Sequence, residues 1–254
     1  MKNEITSREN PMVKQTALLL KDAAERRRQG LFVAEGRVVL AEAAASNAQI
    51  DKVFCLDESE IDGIELPRGV HVYTVSRPVL EKLSGVKSPA GVVFTCRVPE
   101  NGSIRGRRIL AVEDLSDPGN MGTIIRTAEA FGMDTVALIG SCVDVFSPKT
   151  VRATMGAVLR VNICRTELDD LVARVHDLGL PVYAASLMPD SVAISSVDMS
   201  KAAVIIGNEA RGLSQQALDK CDKHVIIPIS GIQSLNAAVA ASVFMYEMSR
   251  HAGC

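Results

Sequence analysis

Asn120, Gly122 and Arg126 stand within the stretch DLSDPGNMGTIIRTAEAFG, residues 114–132, where an apolar run gives way to a helical pattern. Gly122 and Arg126 are four residues apart, so they share one helical face, and helix side chains lean toward the N-terminus. A guanidinium passing over a residue with no side chain leaves room for a ligand beside the positive end of a helix. Turn and cap roles for the glycines, and a solvated arginine, fit the same spacing. Two further apolar runs end in polar loops. IIGNEARGLS sets Glu209 between Gly207 and Gly212, and IIPISGIQSLNAAVAAS sets Ser234 and Asn236 around Leu235 where a helix of small residues begins. A carboxylate at the first of these turns either anchors the loop through backbone amides or bonds a ligand's hydroxyls. Ser234 and Asn236 read equally as helix caps. The G-x-G-x-x-G spacing and the Walker Lys-Ser/Thr pair are both missing, which disfavours a dinucleotide or P-loop enzyme.

Strands alternating with helices must hold these loops. Asn10-Pro11 starts a helix predicted to run to Arg28 and stop at Gly30. Strands follow at 31–35, 51–55, 70–75 and 90–98, with helices at 37–46 and over SRPVLEKLSG, which describes a small α/β domain over residues 1–98. Residues 99–108, PENGSIRGRR, are polar and rich in turn formers and read as a linker. From 109 to 254 the alternation resumes, with strands at 109–114, 135–140, PVYAAS, 202–207 and 224–229. Helices fall between them: one ending at Phe131 with Gly132 as its left-handed stop, one around 149–159, LDDLVARVHDLG, one from Ser214, and a last one over 236–250. This α/β order predicts a mostly parallel sheet covered on both faces, with ligands at the carboxyl ends of its strands.

Three strings at three strand ends, N-x-G-x-x-x-R-T-A (Asn120 to Ala128), I-G-x-E-x-x-G-L (Ile206 to Leu213) and I-P-I-x-G followed by S-L-N (Ile227 to Asn236), resemble the ordered motifs of the SpoU/TrmH family of RNA ribose 2′-O-methyltransferases in the SPOUT superfamily. The resemblance is strong over 108–254. FVAEG at 32–36 and SPAGVV at 88–93 are similar, more loosely, to the L30e-like RNA-binding domain that precedes many of these enzymes. The chain departs from the commonest pattern by a gap one residue shorter between Gly231 and Ser234, by Ile229 in place of Met, and by Ala237-Ala238 in place of Val-Ser.

The resemblance implies a SPOUT domain with a trefoil knot, which the periodicity does not show, and S-adenosyl-L-methionine as cofactor. It implies catalytic roles around Arg126, with Asn120, Glu209, Ser234 and Asn236 holding substrate or loops, and a cofactor pocket from Ile206, Gly207, Ile227, Ile229, Leu235 and Ala238. Arginine keeps its proton below about pH 12, so Arg126 suits phosphate holding and stabilisation of a developing oxyanion better than proton removal. The implied substrate is ribosomal RNA, 23S in particular, ahead of transfer RNA; an inert RNA-binding member of the fold is the other reading. A homodimer through the C-terminal domain is implied too, and the small residues at 237–242 suit either that interface or packing inside the monomer.

Composition sets outer bounds. With 254 residues, 47% hydrophobic, 23% charged and a net charge of −2, the chain has ample material for two cores and no bulk attraction to nucleic acid. The basic excess lies in the first part, where Arg8, Lys14, Lys21, Arg26, Arg27 and Arg28 either contact RNA phosphates or form a solvated helix face. Six scattered cysteines without a C-x-x-C pair or a His cluster predict no metal site. The start lacks a signal-peptide core and no apolar run reaches membrane-span length, so the expected location is cytoplasmic, away from membranes.

Overall fold

The computed structural model describes residues 4–46, 48–231 and 234–250; Ile232 and Gln233 of the third loop, and Cys254, lie outside the described residues. The chain forms two units, Met1–Glu100 with Asp144–Leu159, and Asn101–Val143 with Arg160–Cys254.

The first unit contains β1 (Glu4–Ile5), α1 (Pro11–Lys21), α2 (Ala23–Gln29), β2 (Leu31–Glu35), α3 (Arg37–Ala45), β3 (Ile50–Cys55), β4 (His71–Val75), α4 (Arg77–Ser84) and β5 (Val92–Arg97). Its mixed sheet has the order β1-β4-β3-β5-β2, with β5 antiparallel to both β3 and β2. Val13 and Leu19 of α1 and Val79, Leu80 and Leu83 of α4 pack on Phe54 and Val93 of the sheet. Asn10 caps α1 as expected, accepting from the Met12 amide at 2.9 Å.

The single helix expected over 11–28 is instead two. Asp22 takes an extended backbone (φ −123°) and its carboxylate caps α2 through the Ala24 amide at 2.7 Å. A short polar side chain that bonds nearby amides competes with helix continuation, and here it wins. Gly30 ends α2 in the left-handed region (φ 63°).

The break redirects the basic run. Arg26, expected on an RNA-facing surface, is only 6% exposed. Its Nε and Nη2 donate to Asp144 Oδ2 at 2.9 and 2.7 Å, and its Nη1 donates to the Leu19 carbonyl at 2.6 Å. Burial demands that these donors be satisfied, so Arg26 fastens the unit together and is not available to a phosphate. Arg28 is tied to Glu25 at 2.7 Å and Lys14 to Glu9 at 2.6 Å, while Arg8 and Arg27 make no side-chain hydrogen bond or ion pair among the described residues.

The second unit opens with β6 (Arg108–Glu113), α5 (Pro118–Ala130) and β7 (Thr135–Ile139). The chain then forms α6 (Pro148–Thr154), part of the first unit, and returns as β8 (Ile163–Thr166), α7 (Leu168–Asp177), β9 (Val182–Ala185), β10 (Val192–Ala193), β11 (Ala202–Ile206), α8 (Gln215–Lys220), β12 (Lys223–Ile226) and α9 (Ala237–Arg250). Seven strands, in the order β10-β12-β9-β11-β6-β7-β8, pair in parallel throughout. Ile109, Ala111, Ala137, Val182, Ala203 and Ile205 carry one face of the core. Near-continuous apolar strands are what a sheet covered on both faces requires.

Two expectations change here. Residues 144–159 read as part of the C-terminal domain, yet Asp144 pairs with Arg26, Phe146 lies 5.0 Å from Phe32 between ring centroids, and α6 packs on β2. The helix there stops at Thr154, since Met155 and Gly156 are left-handed (φ 49° and 90°). The supposed linker is also tied down. Asn101 exchanges hydrogen bonds with the Arg165 backbone, Ile104 is buried, and Asp134 Oδ2 accepts from the Arg107 and Arg108 amides at 2.8 and 2.9 Å. Its polar composition reflects a backbone that is hydrogen-bonded as a cover.

Candidate active site

From β6 the chain winds outward to β7 and β8, then crosses to the other side of the sheet for β9 and β11. The carboxyl ends of the adjacent strands β6 and β11 therefore form a topological switch point, where α/β sheets place ligands. The first two loops leave from these ends, and the third follows β12, two strands from β11.

The first loop starts α5 with Asp117 and Pro118. Asp117 Oδ1 accepts from the Asn120 amide at 2.7 Å, and proline at the first helical position lacks an amide to satisfy. The same Asn-Pro rule that located α1 applies to Asp117-Pro118 and to Ser147-Pro148, so both caps were legible. At its far end α5 closes as expected on Gly132 (φ 61°), with the Met133 amide reaching back to the Ala128 carbonyl at 2.8 Å.

Glu209 joins the loops. Its Oε1 accepts from Asn120 Nδ2 at 2.9 Å and from the Asp117 amide at 3.3 Å, and its Oε2 accepts from Ser116 Oγ at 3.2 Å. Asn120 Oδ1 in turn accepts from Asn236 Nδ2 at 3.0 Å, and Asn236 Oδ1 accepts from the Ala238 and Val239 amides at 2.9 and 3.2 Å. A carboxylate only accepts, so Asn120 must offer it the NH2 group; that leaves Oδ1 for Asn236, whose own oxygen is left for the helix amides. One ionised group thus sets the orientation of two amides and draws all three loops together. Asn236 is both the cap of α9 and a member of the site.

Partial burial pushes the Glu209 carboxyl up, but the hydrogen bonds from Asn120 and from the Glu209, Asp117 and Ser116 backbone outweigh it, and the group lies below its ordinary value. Glu209 therefore stays ionised near neutrality, as the amide orientations need.

The second loop is a tight return. Asn208 and Gly212 exchange backbone hydrogen bonds at 3.0 and 2.9 Å, and a Cβ on Gly207 would collide with the Gly212 and Leu213 backbone. Besides its expected place in the cofactor pocket, Gly207 permits the close approach of its own loop. Asn208, which the sequence reading passed over, holds this turn to β6: its Nδ2 donates to the Asp114 carbonyl at 2.8 Å and its Oδ1 accepts from the Ala210 and Arg211 amides. Asp114 sits in the left-handed region (φ 52°), accepts from the Ser141 amide at 2.7 Å and faces Arg211 at 3.3 Å. Glu113, 7% exposed, accepts from the Ser214 amide and hydroxyl at 2.8 and 2.7 Å and so fixes the start of α8. A strand ending in Glu-Asp was the available signal.

Arg126 is exposed on α5 and makes no hydrogen bond or ion pair among the described residues. Ser234 is exposed and likewise unbonded, so the relay includes Asn236 and not Ser234. Of the residues expected to line the cofactor pocket, Ile206 and Ala238 are buried at 3%, Gly207, Ile227 and Leu235 are half-buried, and Ile229 is 39% exposed. Ile206 faces the core, so at that position only the strand's carboxyl end is offered. Ile227, Ile229 and Leu235 all lie on the loop from β12 to α9, where partly covered apolar side chains suit a flat heterocycle. The residues present therefore fit a nucleoside-bearing cofactor. Among the described residues no cluster of His, Cys, Asp or Glu suited to a metal ion occurs.

Two family models match, one on each side of residue 100, and the C-terminal match runs through residues 144–159. Residues 107–246 match the SpoU rRNA Methylase family and residues 10–93 the MRM3-like substrate binding domain. The Bacillus subtilis 23S rRNA (guanosine(2553)-2′-O)-methyltransferase RlmP is 30% identical over 246 residues, covering 96% of this chain and 98% of that one. The AdoMet-bound rRNA methyltransferase structure from Sinorhizobium meliloti superposes with a TM-score of 0.89 at 31% identity, covering 99% and 98% of the two chains. The AdoMet complex of the SpoU methyltransferase AviRb from Streptomyces viridochromogenes gives 0.83 at 26% identity, covering 96% and 98%. With three loop motifs joined at the switch point of a parallel sheet and a family match across more than half its length, the chain belongs to the SpoU rRNA methylase family.

Proposed function

We propose that this protein is an S-adenosyl-L-methionine-dependent RNA methyltransferase acting on a ribose 2′-hydroxyl, with 23S ribosomal RNA as its substrate. The observation that carries this reading is the Glu209–Asn120–Asn236 relay, which assembles three separate loops at the start of the helix that carries Arg126. The cofactor, when bound, supplies an electrophilic methyl group on a sulfonium. Ile227, Ile229 and Leu235, on the loop from β12 to α9, would cover its base. Arg126 holds a phosphate and stabilises charge developing on the 2′-oxygen, which a permanently protonated guanidinium does at no cost in proton transfer. Asn120 and Asn236 position the first loop, Glu209 locks them, and Ser234, unbonded among the described residues, is available to the target nucleotide.

The same reading includes a trefoil knot, a cytoplasmic location and a homodimer through the C-terminal unit. Ala237, Ala238 and Ala241 are buried inside the monomer, so the small-residue face is spent on packing, and α9 lies against α5, β6 and β11. Val239 and Tyr246, seven residues apart and about half exposed, are the apolar side chains left for a partner copy. For location, no described helix is long and apolar enough to cross a membrane, and the five described cysteines are free thiols. Mapping 2′-O-methylated positions in ribosomal and transfer RNA from cells with and without the gene tests the substrate. Loss of a single 23S methylation is expected; loss confined to transfer RNA would overturn the choice of substrate.

A further inference from the structure

Among the described residues only Asp114 and Met155 hold a positive φ without being glycine. Met155 is the left-handed stop of α6. Asp114 instead ends a strand, at the head of the first loop. Glycine would take its φ of 52° freely, whereas an aspartate there has a conformational cost that its other bonds must offset.

Those bonds reach both neighbours of β6. Toward β7, the Asp114 amide donates to the Ile139 carbonyl at 3.1 Å and its Oδ1 accepts from the Ser141 amide at 2.7 Å. Gly140 (φ 65°) lies between these two residues, and a Cβ on it would collide with the Asp114 carboxylate. Arg165 of β8 holds the same loop from the next strand, its Nη1 donating to the Gly140 carbonyl at 3.1 Å. Toward β11, the Asp114 carbonyl accepts from Asn208 Nδ2 at 2.8 Å and its Oδ2 accepts from Arg211 Nη2 at 3.3 Å.

The second loop is thereby fastened to the first at two points. The near point is Asp114, which holds Asn208 and Arg211; the far point is Glu209, bonded to Ser116, Asp117 and Asn120. One attachment would leave a hinge, and two fix an orientation. Because α5 begins at the far point, the placing of its start is passed along the helix to Arg126.

We infer that Asp114 is a positioning residue for methyl transfer: it sets the spacing between the second loop, on the cofactor side, and the helix that carries Arg126. The inference rests on the methyltransferase reading. A misplacement of about 1 Å between bound reactants costs on the order of 10²-fold in rate, so a clamp that touches neither reactant can govern kcat. The ion pair with Arg211 supplies little of the effect, since the two side chains are 73% and 35% exposed. The left-handed turn and the bond from Ser141 supply the rest.

Two substitutions separate these parts. Asp114→Asn accepts the left-handed backbone and the Ser141 amide and gives up only the ion pair. Asp114→Gly keeps the backbone and gives up every side-chain bond. Both are compared with the wild-type full chain by thermal melt, calorimetry with S-adenosylhomocysteine, methyl-transfer kinetics on ribosomal RNA fragments, and hydrogen exchange read on peptides. Asp114→Gly is expected to lower kcat about 30-fold, with KM for RNA and affinity for S-adenosylhomocysteine within about threefold. Its melting temperature stays within about 3 °C of wild type. Asp114→Asn restores kcat to within about threefold of wild type. Exchange over residues 114–120 and 207–213 is about tenfold faster in Asp114→Gly, with β6, β7 and β11 unchanged. Wild-type kcat and exchange in Asp114→Gly would overturn the assignment, as would a loss of kcat that only follows the melting temperature. A wild type that transfers no methyl, with exchange still faster over both segments in Asp114→Gly, would count against the methyltransferase reading and uphold the clamp.

Discussion

At the strand ends of the second unit, Glu209, Asn120 and Asn236 are bonded in series, and Arg126 has no hydrogen bond or ion pair among the described residues; on the first unit, Arg26 is bonded to Asp144 and Leu19, while Lys21 and Lys87 have none among the described residues. Both regions spend some polar groups on fixing structure and leave a few cations open. The difference is in reach. The relay ties together loops that each begin at a strand end, and its members sit inside recognisable strings. The Arg26 pair spans 118 residues and depends on an aspartate that nothing in the basic run announces. Which charges remain available to a ligand is therefore decided locally in one region and by a remote partner in the other.

The largest effect expected from breaking this contrast is at Arg126. Arg126→Ala lowers kcat for methyl transfer by about 10³-fold, the size seen when a single charge-stabilising donor is lost, while cofactor affinity by calorimetry stays within twofold. Normal turnover would remove Arg126 from the chemistry. Next comes Asp144→Ala, which strands a guanidinium with 7% of its side chain exposed. Urea unfolding should show a loss of about 3 kcal/mol, reduced from the upper range for buried pairs because Asp144 is 28% exposed. A change under 1 kcal/mol would mean that Arg26 is solvated after all and belongs with the RNA-facing cations.

Glu209→Gln probes the relay at nearly constant shape. A glutamine can donate as well as accept, so the Asn120 amide loses its enforced orientation, and kcat should fall about tenfold with folding intact. The pH dependence has a defined sign. A carboxyl whose folded value is depressed stabilises the ionised, ordered loops above its unfolded value and loses that contribution as pH falls through the folded one. The wild type should keep its ordered loops to a pH below the ordinary carboxylate range, read as an acid limb in kcat that Glu209→Gln flattens. A smaller effect is expected at Asp22, whose replacement by Ala removes the cap of α2 and should cost about 1 kcal/mol in thermal unfolding.

Much of the fold was written in local pattern. Strand 31–35 and the stop at Gly132 follow from apolar runs and glycine chemistry, and the structure places them there. β8, Ile-Cys-Arg-Thr, escaped because at a sheet edge it need not alternate or run apolar. The break at Asp22 escaped because a capping side chain overrode a continuous helical period. In the site, Asn120, Glu209 and Asn236 were legible as loop residues, and the structure adds that they bond in series. Gly207 was legible as a point of close approach, but its partner, the Gly212 and Leu213 backbone, requires the folded loop. Asn208 and Glu113 were not found, because each acts on a segment far along the chain.

The central claim is that these loops form one centre that methylates a ribose. Wild-type protein incubated with methyl-labelled S-adenosyl-L-methionine and unmodified 23S RNA, followed by complete digestion to nucleosides and chromatography, tests it most directly. The account predicts label in one 2′-O-methylated nucleoside, absent with Arg126→Ala. Label on a base, or no transfer from a protein that binds both cofactor and RNA, would contradict it.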